Sequence, residues 1–374
     1  MALLWVTAGS VAGARVLPTA ASGSDVPAFA GTIRTLQVNG IRMRIAQQGE
    51  GPLVLLLHGF PEFWYSWRRQ LPALAAGGYL AVAPDLRGFG GSSAPQRVED
   101  YDILDLSRDV VGLIDALGAE TAVLVGHDWG AAMAWTCALL YPDRFDALVA
   151  MSVPWGPRGE TPPLQRIRAS AGDDFNYMLY FQEPGRADDE LNRRTREVFE
   201  KLFASPTTPR EAPQVRDARS SAGGFLDRLG WPTEPPTWIS PEELDVFVRE
   251  FERTGFWGGI QYYRNLDRSW ELTPELAGRQ VECPTLFLAG DREFLIAGRD
   301  QDELTEQIRA VAPRSRVRII PGGVGHWLQQ EAPEVVNRAL LGFLREVPLI
   351  DNAGPRSSED RASPNALEPS GDLR

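Results

Sequence analysis

The stretch Ala122-Val123-Leu124-Val125-Gly126-His127-Asp128-Trp129-Gly130 decides how this 374-residue chain folds. An apolar, β-compatible run leads into Gly-x-Asp-x-Gly, and the helix-patterned segment Ala131–Tyr141 follows. A strand–turn–helix of this kind lifts its central side chain above the edge of a parallel sheet. The two glycines permit the sharp turn and the close helix–strand approach that it needs. Working outward, Thr32–Val38 and Ile41–Gln47 read as a hairpin joined at Asn39-Gly40, a strong two-residue turn signal. Leu53–Leu57, Tyr79–Ala83, Leu148–Met151, Thr285–Ala289 and Val317–Ile320 are further strand-like runs. Leu53–Leu57 is apolar throughout, as in strands buried on both faces of a parallel sheet. Ile103–Leu117 and Glu331–Leu344 carry apolar residues at helical spacing. Eight strand-like runs alternating with helices predict an α/β chain with a mostly parallel eight-stranded sheet flanked by helices.

The rhythm breaks from 154 to 276, which is rich in Pro and Gly and has helical pieces such as Asp189–Phe203 and Pro241–Thr254. This segment is expected to be a helical cap inserted into a core made of 29–153 and 277–347. Residues 1–28 are expected to be a flexible arm. Residues 348–374 mix Pro, Ser, Asp, Glu and Arg with few large apolar residues, so they cannot offset their ordering entropy and are expected to be disordered.

The identity of the raised residue restricts the chemistry. Carboxylate attack by Asp128 on an ester would give a mixed anhydride, a poor intermediate. Attack on an sp³ carbon bearing a leaving group gives an alkyl ester that activated water can cleave. The expected substrates are therefore epoxides or alkyl halides. A second turn, His58-Gly59-Phe60-Pro61-Glu62, follows the strand Leu53–Leu57. It would place the Phe60 N–H, with that of Trp129, in an oxyanion hole. The Phe60–Pro61 bond is expected to be cis.

The chain has three histidines, His58, His127 and His326. His326 follows the last strand-like run, the position for the base in the order nucleophile, acid, histidine. His58 and His127 are read as structural. The orienting acid should follow Thr285–Ala289, where spacing alone leaves Asp291 and Glu293 as alternatives. Phe60, Pro61, Trp64, Trp129 and Trp155 are the expected lining of an apolar substrate site.

Composition removes other classes. Lys plus Arg number 38 and Asp plus Glu 50, a net charge of −12, which argues against nucleic-acid binding because phosphate contacts need clustered cations. Cys137 and Cys283 make neither a disulfide framework nor a zinc set. No apolar run is long enough to span a membrane. No Lys or Arg precedes Arg15, and Gly9, Ser10 and Gly13 interrupt the first apolar residues. An export signal is thus incomplete and a cytoplasmic location is expected. Monomer and homodimer are both open.

Five motifs together resemble the soluble epoxide hydrolases of the α/β-hydrolase fold. They are His58-Gly59-Phe60-Pro61-Glu62, Gly126-His127-Asp128-Trp129-Gly130, Tyr180-Phe181-Gln182-Glu183-Pro184-Gly185, Tyr263-Arg264-Asn265 and Gly325-His326-Trp327. The resemblance covers about Phe29 to Leu344. It implies a helical cap after the sixth strand and no metal or organic cofactor. It also implies two cap tyrosines that hold and protonate the epoxide oxygen. By position these are Tyr177 and Tyr263, although helix geometry alone leaves Tyr180 and Tyr262 in competition. The acid it implies is Glu293, where the family usually has Asp. A haloalkane dehalogenase is the nearest alternative, sharing the Asp-Trp-Gly elbow, but Phe60 stands where its halide-binding Asn would be. A non-catalytic binding protein on the same fold is the other.

Overall fold

The computed structural model describes residues 29–349 apart from Pro157. The arm expected over 1–28 and nearly all of the tail expected over 348–374 lie outside the described residues. Among the described residues eight strands form one sheet: β1 Thr32–Val38, β2 Ile41–Gln48, β3 Leu53–Leu57, β4 Leu80–Pro84, β5 Ala122–His127, β6 Phe145–Met151, β7 Thr285–Gly290 and β8 Ser315–Ile320. Their order is β1-β2-β4-β3-β5-β6-β7-β8. The β1/β2 and β2/β4 pairs are antiparallel and the other neighbours are parallel.

Burial follows position in the sheet. Every residue of β3, β5 and β7 is buried, as central parallel strands require, with apolar side chains on both faces. The edge strand β8 alternates, with Arg316 and Arg318 outward. At the other edge β1 is largely exposed.

The helices are α1 Gln70–Ala76, α2 Ile103–Ala116, α3 Trp129–Leu140, α4 Pro163–Ala171, α5 Tyr177–Tyr180, α6 Arg186–Arg193, α7 Thr195–Leu202, α8 Pro241–Thr254, α9 Trp257–Arg264, α10 Leu266–Leu272, α11 Gln301–Val311, α12 Leu328–Glu331 and α13 Pro333–Leu344. Helices α4 to α10 all fall between β6 and β7. They are tied to the sheet side by Arg44–Glu250 at 2.6 Å, Arg68–Glu243 at 2.8 Å and Arg268–Asp102 at 3.2 Å.

Two helices differ from their sequence reading. Asp189–Phe203 is two helices, α6 and α7, that meet at Arg194, whose backbone (φ −127°, ψ 34°) is not helical. The Arg194 guanidinium there binds Glu197 at 2.6 Å and Asp227 at 2.7 Å. Glu331–Leu344 is interrupted at Ala332 (φ −135°, ψ 55°), because Pro333 disfavours helical backbone in the residue before it.

Candidate active site

The sheet delivers its reactive groups at the carboxyl ends of β3, β5, β6, β7 and β8. At the end of β5 the chain turns on Asp128, which has φ 52° and ψ −118°. Left-handed backbone in a non-glycine residue costs about 1–3 kcal/mol and persists where the surroundings over-determine it. The flanking glycines supply that determination. A Cβ on Gly126 would sit 2.1 Å from the Gly130 carbonyl oxygen, and one on Gly130 would sit 2.1 Å from that of Leu57. No other residue fits either position while the elbow keeps this shape.

The loop after β3 meets the elbow directly. The Phe60 N–H donates to Asp128 Oδ1 at 2.8 Å, and Phe60–Pro61 is cis. The second carboxylate oxygen, Oδ2, lies 3.6 Å from His326 Nε2. His326 Nδ1 lies 2.8 Å from Oε2 of fully buried Glu293. The other Glu293 oxygen accepts from the Leu295 N–H at 3.0 Å. Asp291 is elsewhere: its carboxylate accepts from the Gly322 and Gly323 N–H groups at 3.2 and 2.9 Å. Of the two alternatives, the geometry puts only Glu293 on the imidazole.

The charges reinforce one another. Burial works against the His326 imidazolium, but Glu293 and Asp128 outweigh it and raise its pKa to about 10. Burial likewise disfavours the Glu293 carboxylate, yet the His326 charge and its hydrogen bonds hold it below the usual range.

Two tyrosines of the helical insertion close over this group. Tyr177 and Tyr263 pack ring to ring at 5.8 Å, and Tyr263 lies 5.6 Å from Phe60 and 5.0 Å from Trp129. Burial, then nearby charge that includes Asp128, raises both phenols above their usual range. Their competitors are engaged elsewhere. The Tyr180 hydroxyl donates to Glu190 at 2.7 Å, and that of Tyr262 donates to the Arg87 carbonyl at 2.9 Å.

The other two histidines are bound into the framework. His58 Nε2 accepts from the Leu86 N–H at 3.0 Å, and its Nδ1 lies 2.9 Å from the Gly59 carbonyl oxygen. Burial lowers its pKa, so it is a neutral strut. His127 sits 2.8 Å from buried Glu62 and 2.7 Å from the His326 carbonyl oxygen.

Trp64, a member of the expected lining, packs away from the site, and Trp155 meets it only through Trp129. Trp64 is buried against Phe29 at 5.0 Å and Tyr65 at 5.5 Å, and its backbone N–H is held by Asp85 at 3.0 Å. It opens the 3-10 turn Trp64–Trp67, all four residues of which are buried. Trp155 lines a cavity of about 220 Å³ with Trp129 and Tyr262 that Asp128, Tyr177 and His326 do not line. Sequence reasoning also missed Ser152, whose hydroxyl donates to the His326 carbonyl at 3.0 Å, and Glu331, whose carboxylate accepts from two peptide groups of the same loop.

A family model described as alpha/beta hydrolase fold matches residues 52–333. The chain is 47% identical over 321 residues to epoxide hydrolase A of Mycobacterium tuberculosis, covering 85% of this chain and 98% of that protein. The chain belongs to the epoxide hydrolase family of the α/β-hydrolase fold. Epoxide hydrolase 1 of Siraitia grosvenorii is 39% identical over 315 residues, covering 83% and 97% of the two chains. The crystal structure of epoxide hydrolase A from Mycobacterium thermoresistibile superposes with a TM-score of 0.80 at 46% identity, covering 86% of this chain and all of that one.

Proposed function

We propose that this epoxide hydrolase opens an apolar aryl or alkyl epoxide to a vicinal diol through an alkyl ester on Asp128. The observation that carries the reading is the division of labour between the two Asp128 oxygens. Oδ1 rests on the Phe60 N–H at 2.8 Å, and Oδ2 is turned toward His326 beneath the two tyrosines.

In the first step Oδ2 attacks an epoxide carbon in line and the carbon–oxygen bond breaks. Tyr177 or Tyr263 transfers its phenolic proton to the departing oxygen. Tyr263 is suited to this because its ring packs on Phe60 and Trp129, the residues that carry the proposed oxyanion donors. A phenol kept neutral by burial is a proton donor at neutral pH.

In the second step His326 removes a proton from water, and the oxygen attacks the Asp128 carboxyl carbon. Oδ1 becomes the oxyanion on the Phe60 and Trp129 N–H groups, where such donors are most effective. Collapse breaks the bond between the carboxyl carbon and the substrate oxygen, which takes the proton from His326 and leaves as the diol, and the carboxyl's own proton passes back to the imidazole to restore the carboxylate. Glu293 holds the imidazole and balances its charge.

The raised His326 pKa explains how one imidazole serves both states. It is an imidazolium beside two carboxylates in the free enzyme. Esterification of Asp128 removes one of those charges, so His326 releases its proton and becomes a base. The proton it gives up matches the one that the tyrosinate needs back.

The 154–276 segment is, on this reading, the cap that brings the tyrosines over the core. Core boundaries of 29–153 and 277–347 follow. Aromatic walls at Phe60 and Trp129 favour apolar substrates. A single turnover in ¹⁸O-water tests the scheme. Label must enter the Asp128 carboxyl, and label found in the first diol would instead mean direct attack by water.

A further inference from the structure

We propose that Glu331 is a positioning residue for hydrolysis of the ester: it holds the backbone N–H groups of the residues on both sides of His326 and so aims the imidazole at the attacking water. The inference rests on the roles given above to Asp128 and His326.

The loop that carries His326 has little regular structure to hold it. It enters through Gly322 and Gly323, both left-handed at φ 107° and 83°, and joins the short helix α12 only at Leu328. Glu331 closes it. One carboxylate oxygen accepts from the Gly325 N–H at 2.8 Å, and the other accepts from the Trp327 N–H at 2.9 Å. The carbonyl between them, that of His326 itself, lies 2.7 Å from His127 Nε2 and accepts from the Ser152 hydroxyl at 3.0 Å. The N–H groups of the residues before and after the histidine, and its own carbonyl, are thus each held by a side chain.

The arrangement also limits where the loop can go. Pro206 lies 2.4 Å from where a Gly325 Cβ would be. The Trp327 indole donates to the Leu202 carbonyl at 2.9 Å. Without Glu331, the 326–327 peptide is held by its carbonyl alone and the Gly325 N–H loses its acceptor, so the peptide between them is free to tilt. Nδ1 can still meet Glu293, while Nε2 swings relative to the Asp128 carboxyl carbon. A misplacement of about 1 Å can cost about 10²-fold in rate. The first step uses Asp128 and the tyrosines, none of which Glu331 touches. A carboxylate that merely capped α12 would change stability and affect both steps alike.

Stopped-flow tryptophan fluorescence with an aryl epoxide, joined to acid-quench mass spectrometry of the ester, separates the two steps. Glu331→Ala is expected to leave the alkylation rate within about twofold of wild type. It should slow ester hydrolysis about 10- to 100-fold, so that ester accumulates. Glu331→Gln keeps one acceptor oxygen at nearly the same volume and should lose less. It supplies the answer if the alanine variant does not fold. Unchanged hydrolysis in a folded variant overturns the proposal, as does an equal fall in both steps. His326→Gln is the reference. If neither it nor the wild type forms ester, the roles of Asp128 and His326 fail and this inference falls with them. If both form ester and the Glu331 variants match wild type, only the positioning role is lost.

Discussion

Replacing Glu293 by Gln probes the proposed base most directly. The substitution keeps the shape of a side chain that is fully buried and 2.8 Å from His326 Nδ1, and it removes one negative charge. His326 is raised to about 10 in the free enzyme because Glu293 and Asp128 together overcome the cost of burial. An opposite charge within about 4–6 Å is worth about 1–3 pKa units. Once Asp128 is esterified, Glu293 is the remaining carboxylate on the ring. Hydrolysis requires the neutral imidazole, so its rate should rise with pH through the His326 pKa of the ester and then level off. In Glu293→Gln that rising limb should move to lower pH by about 1–3 units. The plateau should fall about 10²- to 10⁴-fold, the range for loss of an oriented general base. Alkylation by Asp128 should change far less. Single-turnover rates for the two phases, measured from about pH 5 to about pH 10, give both numbers. A limb that stays in place or moves to higher pH would refute the assignment of Glu293 as the charge partner. A plateau equal to that of wild type would refute its orienting role.

Tyr177→Phe and Tyr263→Phe should each slow alkylation by about 10² or more in stopped-flow. Tyr180→Phe should leave that phase alone and cost about 1 kcal/mol of stability through its lost bond to Glu190. Glu62→Ala leaves His127 without its buried partner and should destabilise the fold by about 3–5 kcal/mol in urea titrations. Because Glu62 is depressed to about 2 from 4.5, the stability it adds is present above pH 4.5 and is lost as pH falls toward 2. The gap between wild type and variant should narrow on that side only. Trp64→Phe should leave KM for an aryl epoxide unchanged, since Trp64 packs on Phe29 and not in the site; a several-fold rise in KM would restore it to the lining.

The parts legible in the sequence are those that a short pattern determines. Leu53–Leu57 and Thr285–Ala289 read as central strands because both faces are buried and every position must be small or apolar. Gly126 and Gly130 mark the elbow because a Cβ at either would overlap backbone. The less legible parts depend on partners far along the chain. Nothing near Arg194 in sequence marks the break between α6 and α7, where Asp227 contributes an ion pair. Spacing could not separate Asp291 from Glu293, since both sit on one loop and only the path of the His326 loop decides which faces the ring. Trp64 was misplaced because proximity in sequence to Phe60 says nothing about direction after a 3-10 turn. Ser152 offered a signal only in three dimensions, its left-handed φ of 67° at the end of β6.

The placement of the groups also separates the two chemical steps in space. The proposed nucleophile, oxyanion donors, base and acid all stand just past the carboxyl ends of sheet strands, whereas both proposed proton donors come from helices between β6 and β7. Ring opening therefore needs the two parts in register, because Asp128 and a tyrosine must act on opposite sides of one bond. Ester hydrolysis needs only the sheet side. Loosening the ties Arg44–Glu250 and Arg68–Glu243 should then weigh on alkylation, while disturbing the buried Glu62–His127 pair or Glu331 should weigh on hydrolysis. Trp327 is where the separation is incomplete. It follows His326 directly, packs edge-on against Phe203 at 4.9 Å and donates to the Leu202 carbonyl. A substitution that shifts the end of α7 should therefore disturb hydrolysis as well as alkylation, unlike one at Arg44 or Arg68.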